Sequence, residues 1–230
     1  MDSLLKQTTG RESGFASYRF RGGLAKAGTY ILLCALTVLM LLPFLWMCSA
    51  SLKLDKDVFR FPIQWIPAVP QWNNYVKIWT EIPFLTFFGN TTKLTVIITL
   101  LQLFTSSFAG YAFAKLDFKG RDLIFLAYIA SIAIPWQSYM VPQFIIMRKF
   151  DLVDKHMALI LLQAFSAFGV FLMRQFFISI PNDIIDAARI DGLSEYGIYF
   201  QIMLPLSKPA LATLTIFTAV FVWNDFLIAF

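Results

Sequence analysis

An all-helical integral membrane bundle is the fold class this sequence predicts, on three observations. Hydrophobic residues fill 58% of the 230 positions and charged ones 14%, against about half and about a quarter in soluble domains. The 25 phenylalanines are more apolar surface than a soluble fold of this size could cover. The apolar residues also gather into windows of about 20, the length that crosses a bilayer core.

Taken in order, residues 1–28 read as a polar, mobile tail carrying Lys6, Arg11, Arg19, Arg21 and Lys26. The first span covers 29–47, "TYILLCALTVLMLLPFLWM". It exceeds a signal-peptide core and no small-residue cleavage site follows, so it reads as an uncleaved helix. Cys34 and Cys48 fall about 21 Å apart along it, beyond disulfide reach, and read as packing residues. Residues 50–88 form the longest loop, where prolines alternate with Trp65, Trp72 and Trp79. That mixture predicts an ordered, rigid segment at the interface, either an aromatic belt or a belt that also docks an external partner.

The second span covers 94–114 and the third 123–146, where Pro135 and Pro142 interrupt the hydrogen-bond ladder. The fourth covers 157–177 and the fifth 210–230, so the whole transmembrane domain is 29–230. Small residues in "TSSFAGYAFA" and "QAFSAFG" allow helices to approach closely. No internal repeat is visible.

Lys and Arg place the tail in the cytoplasm, together with Lys115, Lys119, Arg121, Arg174, Arg189 and Lys208. Fewer lie opposite: Lys53, Lys56, Arg60, Lys77, Arg148, Lys149 and Lys155. The net charge of +5 follows from this topology rather than from nucleic-acid binding. Five spans put the C-terminus outside, with the fifth ending flush at "DFLIAF". A terminal carboxylate in hydrocarbon is costly, so a sixth span is expected to follow.

The loop over 179–209, "SIPNDIIDAARIDGLSEYGIYFQIMLPLSKP", is a polar island. Pro181 suits the first turn of a helix, and Asn182 and Asp183 its positive end. Ile184, Ile185, Ala188 and Ile190 make an apolar stripe, with Asp183, Asp186 and Arg189 on other faces. Gly192 fits the left-handed position that stops a helix. Ser194 then caps a second short helix running to Met203, before Pro205 and Pro209. Ala187 and Ala188 give a slim face that can enter a groove, Asp186 a carboxylate for a basic partner, and Gly192 room for close approach. The segment reads as an interfacial connector or as a lever gripped by a cytoplasmic protein.

"DAARIDG" followed by "IMLPLSKPAL" resembles the EAA signature of binding-protein-dependent ABC importer permeases: Glu-Ala-Ala, a few residues, Gly, then Ile-x-Leu-Pro. Asp186, Ala187 and Ala188 match the triplet, Gly192 the glycine, and Ile202, Leu204 and Pro205 the close. "FPIQWIPAVPQWNNY", "GYAFAKLDFKGRD", "IPWQSYMVPQFIIMRKFDLVD" and "VWNDF" extend the similarity along nearly the whole chain. They resemble the sugar-type permeases, specifically the maltose-type second subunit. Asp186 stands where the family usually has glutamate, one methylene longer, and the family usually has six spans.

The resemblance implies a type I importer permease bundle, multi-pass in a bacterial or archaeal cytoplasmic membrane. Its partners would be a second permease subunit, a pair of ATPases that bind ATP and Mg, an extracytoplasmic solute-binding protein, a sugar substrate and membrane lipid. The ATPase-coupling residues would be Asp186, Ala187, Ala188, Asp191, Gly192 and Pro205.

No GxxxxGK[ST] phosphate loop occurs in the sequence, nor any metal-ligand cluster or nucleophile–base pair. His156 reads as a solvated loop residue, and neither catalysis nor a cofactor is assigned to this chain. Asp225 is the one acid deep in a span, and such carboxylates face a bundle interior or an aqueous path. It and Asn224 are candidates for a structural interhelical bond or for the translocation pathway. An ion-coupled secondary carrier would place several ionisable groups at mid-membrane, and a non-transporting scaffold would use the polar loop only for docking.

Overall fold

The computed structural model describes residues 2–225, with side chains from Lys26 onward. Two compact units divide the chain, Met1–Pro83 and Phe84–Phe230. The described residues are helical throughout their regular structure, without strands.

The first unit is dominated by α1 (Asp2–Ser51), whose backbone carries helix back through the segment read as a mobile tail. Its part Lys26–Ser51 is long and apolar enough to cross a membrane. Cys34 and Cys48 on it are free thiols. Beyond it lie α2 (Asp55–Val58) and α3 (Asn73–Thr80), joined by an irregular but well-tied loop. Lys53 is buried, donates to the Gln64 carbonyl, and sits 4.4 Å from the centre of the Trp46 ring. Trp65 meets Trp46 edge-on at 5.5 Å. Asn74 Nδ2 donates to the Ser51 and Lys53 carbonyls, each at 2.9 Å. A buried ammonium held by a carbonyl and an indole face is a satisfied charge, which is why this proline-rich stretch is ordered.

The second unit is built on α4 (Phe84–Lys115), which starts ten residues before the expected second span and is itself long and apolar enough to cross. Its close partner is α8 (Ala167–Ser179). The crossing depends on glycine. A Cβ on Gly110 would lie 2.7 Å from Met173 Cβ, and one on Gly169 would lie 2.3 Å from Ser106 Oγ. The small-residue stretches thus set how near the two axes come.

Two expected spans are broken. The 123–146 stretch is α5 (Arg121–Ala130), two single 3₁₀ turns, then α6 (Met140–Lys149), rather than one kinked helix. Pro135 forces Ile134 into extended backbone, with ψ of 114°, so the helix stops instead of bending. The 157–177 stretch is α7 (His156–Gln163) followed by α8, bent by 40°.

The break between α7 and α8 leaves carbonyls without helical partners, and α4 supplies them. Gln102 Nε2 donates to the Gln163 carbonyl at 2.7 Å, and Thr105 Oγ1 to the Ala164 carbonyl at 2.8 Å. Gln102 Oε1 in turn accepts from Thr218 Oγ1 at 3.1 Å. Irregular backbone at membrane depth survives only when protein satisfies it in this way.

The chain continues through α9 (Asn182–Ile190), α10 (Glu195–Ile198), a π turn over Tyr199–Met203, α11 (Leu204–Leu206) and α12 (Lys208–Trp223). The second arm therefore runs on past Met203, through Pro205, to Leu206. It meets α12 at 76°. α12 ends at Trp223, so Asn224 and Asp225 follow its last turn. They are not deep within a helix, and residues 226–230 of the expected fifth span lie outside the described residues.

Candidate functional site

The polar island folds into a hairpin of two short arms, α9 and the helix from Glu195 to Leu206. Its elbow is a complete Schellman closure. Leu193 N–H bonds the Ala188 carbonyl at 3.0 Å and Gly192 N–H the Arg189 carbonyl at 3.0 Å. Gly192 sits at φ of 84°, the left-handed geometry that glycine takes without Cβ strain. Ser194 Oγ then accepts from Gly197 N–H at 3.2 Å and caps the second arm.

The hairpin's inner face is core. Ile185 is 2% exposed and Ala188 4%, packed in one cluster with Tyr111, Met173, Phe177, Ile198, Tyr199 and Met203. This corrects the reading of both alanines as one slim outer face. Ala188 lies three residues after Ile185 and turns inward with it, while Ala187 is exposed. Ile190 also leaves the expected apolar stripe and is 87% exposed.

The outer face gathers Asp183, Asp186, Ala187, Ile190, Asp191 and Gly192. It offers carboxylates around an apolar knob, a chemistry suited to a groove with basic rims. Pro205 is not brought to this face. It stands in the corner between the second arm and α12, just after the π turn, where the helical ladder can spare an N–H.

Polar contacts brace the hairpin internally and tie it to the bundle. Lys115 Nζ, at the end of α4, donates to the Ile180 carbonyl and to Asn182 Oδ1, each at 2.7 Å. Arg189 Nε donates to Glu195 Oε1 at 2.8 Å, and its Nη1 to Asp186 Oδ1 at 3.1 Å. Tyr111 of α4 donates its hydroxyl proton to Glu195 Oε2 at 2.6 Å. Ser107 Oγ and the Tyr199 hydroxyl are hydrogen-bonded at 2.7 Å. At the same end Arg174 of α8 donates to the Phe113 carbonyl at 3.2 Å and lies 4.2 Å over the Phe125 ring.

The hydrogen bond from Arg189 is the main reason the Glu195 carboxyl is held below its ordinary value of 4.5; partial burial opposes it and the Tyr111 hydroxyl assists. A depressed carboxylate contributes its stabilisation above the unfolded pKa and loses it only as pH falls through the folded one. The hairpin is therefore expected to keep its shape between about pH 8 and pH 5, where a free glutamate is still ionised. Hydrogen exchange of the Asp191, Gly192 and Leu193 amides, corrected for intrinsic rate, checks this. A loss of protection within that window would contradict it.

Asp225 Oδ2 accepts from Gln163 Nε2 at 2.7 Å, and Asn224 Nδ2 donates to the Val220 carbonyl of its own helix at 2.8 Å. The hairpin and Asp225 belong to different parts of the unit: one ties to the Lys115 end of α4, the other to the end of α7. Sequence reasoning missed Glu195, Tyr111, Gln102 and Gln163. The two glutamines had a signal, as amides inside otherwise apolar windows. The Tyr111–Glu195 pair had none.

Residues 102–229 match the family described as "Binding-protein-dependent transport system inner membrane component". The arabinooligosaccharides transport system permease protein AraQ of Halalkalibacterium halodurans is 39% identical over 188 residues, covering 80% of this chain and 67% of the relative. Its Bacillus subtilis counterpart is 36% identical, covering 84% and 69%. The diacetylchitobiose uptake system permease protein NgcG of Streptomyces coelicolor is 30% identical, covering 87% and 67%. Among solved structures, a bacterial ABC transporter involved in the import of the acidic polysaccharide alginate superimposes with a TM-score of 0.79 at 28% identity. That match covers 87% of this chain and 71% of the other.

Proposed function

This chain belongs to the binding-protein-dependent transport system inner membrane components, and on that premise we propose that it is one permease subunit of an ATP-driven importer of a sugar or oligosaccharide. The observation that carries the reading is the extent of the family match, from Gln102 on α4 through the whole hairpin and α12. The relatives' names, all of them saccharide transport permeases, support the substrate class.

In this reading a second permease subunit completes the translocation pathway, and an extracytoplasmic binding protein delivers the solute. A pair of ATPases holds ATP and Mg beneath the cytoplasmic hairpins. The N-terminal tail shares that side. Asp186, Asp191 and the Gly192 elbow form the contact surface, with Ala187 beside them; Ala188 and Pro205 shape it from behind. Closure of the ATPase pair on ATP pushes the hairpin, and the spans follow from inward- to outward-facing. The free energy comes from ATP binding, because a partner biases an equilibrium only through contacts that differ between its states.

Asn224 and Asp225 belong to the structural frame of the pathway rather than to its surface. The Gln163–Asp225 bond and the return of Asn224 to its own helix support that role.

Reconstitution tests the proposal. Proteoliposomes holding this chain, its permease partner and the ATPase pair are expected to take up solute only with ATP inside and binding protein outside. Uptake driven by an ion gradient without ATP would overturn the reading. Asp186→Lys is expected to reduce ATPase recovery in a pull-down about tenfold, since it replaces attraction to a basic partner by repulsion. Recovery equal to wild type would remove Asp186 from the contact.

A further inference from the structure

We propose that Glu195 is a positioning residue, a strut that fixes the angle between the hairpin's docking arm and the long helix α4. The inference deepens the importer reading above and rests on it. Glu195 is not on the outer face with Asp186 and Asp191; it is half-buried behind the elbow, at the first position of the second arm. One carboxylate oxygen holds Arg189 of α9 at 2.8 Å, and the other holds the Tyr111 hydroxyl of α4 at 2.6 Å. A single side chain thus joins three elements, using both oxygens.

The geometry distinguishes this strut from ordinary packing. The apolar cluster under the hairpin resists separation but permits sliding, because hydrophobic burial is non-directional. Charge-assisted hydrogen bonds are directional and about twice as strong as neutral ones. Arg189 also reaches Asp186 on the outer face at 3.1 Å. A continuous polar chain therefore runs from the docking face, through Arg189 and Glu195, to Tyr111. The Ser107–Tyr199 bond gives the second arm another hold on α4, one turn away. A push on α9 that keeps these bonds must carry α4 with it. Without the strut the hairpin could still bind its partner, but it would slide over the bundle instead of moving it.

The test uses the complete transporter with its ATPase pair, second permease subunit and binding protein. Tyr111→Phe removes one hydroxyl and leaves the ring against Phe177 and Tyr199, whose centroids lie 6.1 and 5.5 Å away. Glu195→Gln keeps the shape and removes the charge. Both variants are expected to assemble and to hydrolyse ATP within about twofold of wild type. Solute moved per ATP is expected to fall by about fivefold or more, the lower end of coupling between two sites. An unchanged ratio would overturn the strut, whether both rates held or both fell together with the yield of assembled complex. A wild-type complex that moves no solute with ATP would overturn the importer reading, and the strut with it, before any variant is compared.

Discussion

Gly192→Pro is expected to abolish ATP-driven transport while the chain still inserts into the membrane. Glycine holds φ of 84° there, and proline fixes φ near −65°. The N–H that bonds the Arg189 carbonyl at 3.0 Å disappears with the same change. Proline also pushes the preceding residue out of the helical region, whereas Asp191 sits at φ −70° and ψ 0°. Three local requirements fail together, at a cost of about 3 kcal/mol or more. The elbow would open and the outer carboxylates would scatter. ATPase recovery and solute uptake are expected to fall by at least tenfold, in line with roughly 1.4 kcal/mol per decade. Gly192→Ala separates shape from space. Nothing lies within 4 Å of a Cβ built there, so its penalty is the left-handed backbone alone, about 1–2 kcal/mol, and transport should survive in part. Full transport by the proline variant would show that the elbow does not transmit the ATPase's motion.

The second large effect is expected at the α4–α8 crossing. A valine at Gly110 puts its Cβ 2.7 Å from Met173 Cβ and 3.0 Å from the Arg174 backbone nitrogen. The obstacle is partly backbone, which cannot swing aside, so the two helices must separate. Overpacking of this kind costs about 1–3 kcal/mol. The apparent melting temperature of the purified chain should drop by roughly 2–12 °C, as such a loss implies for a chain of this size. Fluorescence-detected thermal unfolding in detergent measures it, with Gly28→Val as the control. Gly28 lies on α1, and nothing is within 4 Å of a Cβ there. Equal stability of the two variants would mean that the helices are not held at the observed separation.

What the sequence disclosed, and what it hid, divides by range. The stop at Gly192 and the cap at Ser194 were legible because each is decided within four or five residues by backbone rules. The inward turn of Ala188 was present in its spacing from Ile185, which put it in the apolar stripe. Pairing it also with Ala187 as one slim face gave it two incompatible directions, and the stripe is the one that holds. The start of α4 at Phe84 was hidden by Asn90, Thr91, Thr92 and Lys93, which lower the hydropathy of a window without breaking a helix. The break around Pro135 was expected as an interrupted ladder within one continuing span. A proline allows either outcome, and the neighbouring turns decide. The bonds of Glu195 to Tyr111 and of Gln102 to the Gln163 carbonyl join residues 84 and 61 positions apart. No periodicity connects such pairs.

The stitched interruption between α7 and α8 limits how the bundle can rearrange. Were α7 to swing away from α4, the carbonyls of Gln163 and Ala164 at its end would be torn from Gln102 and Thr105, and each bare acceptor left in an apolar setting costs several kcal/mol. The inexpensive motion keeps those contacts closed. Because Gln102 also accepts from Thr218, it binds α12 into the same assembly. The motion that keeps every one of these bonds moves α4, the end of α7 and α12 together, and leaves the thinner segments around residues 131–139 and 150–155 to absorb the displacement.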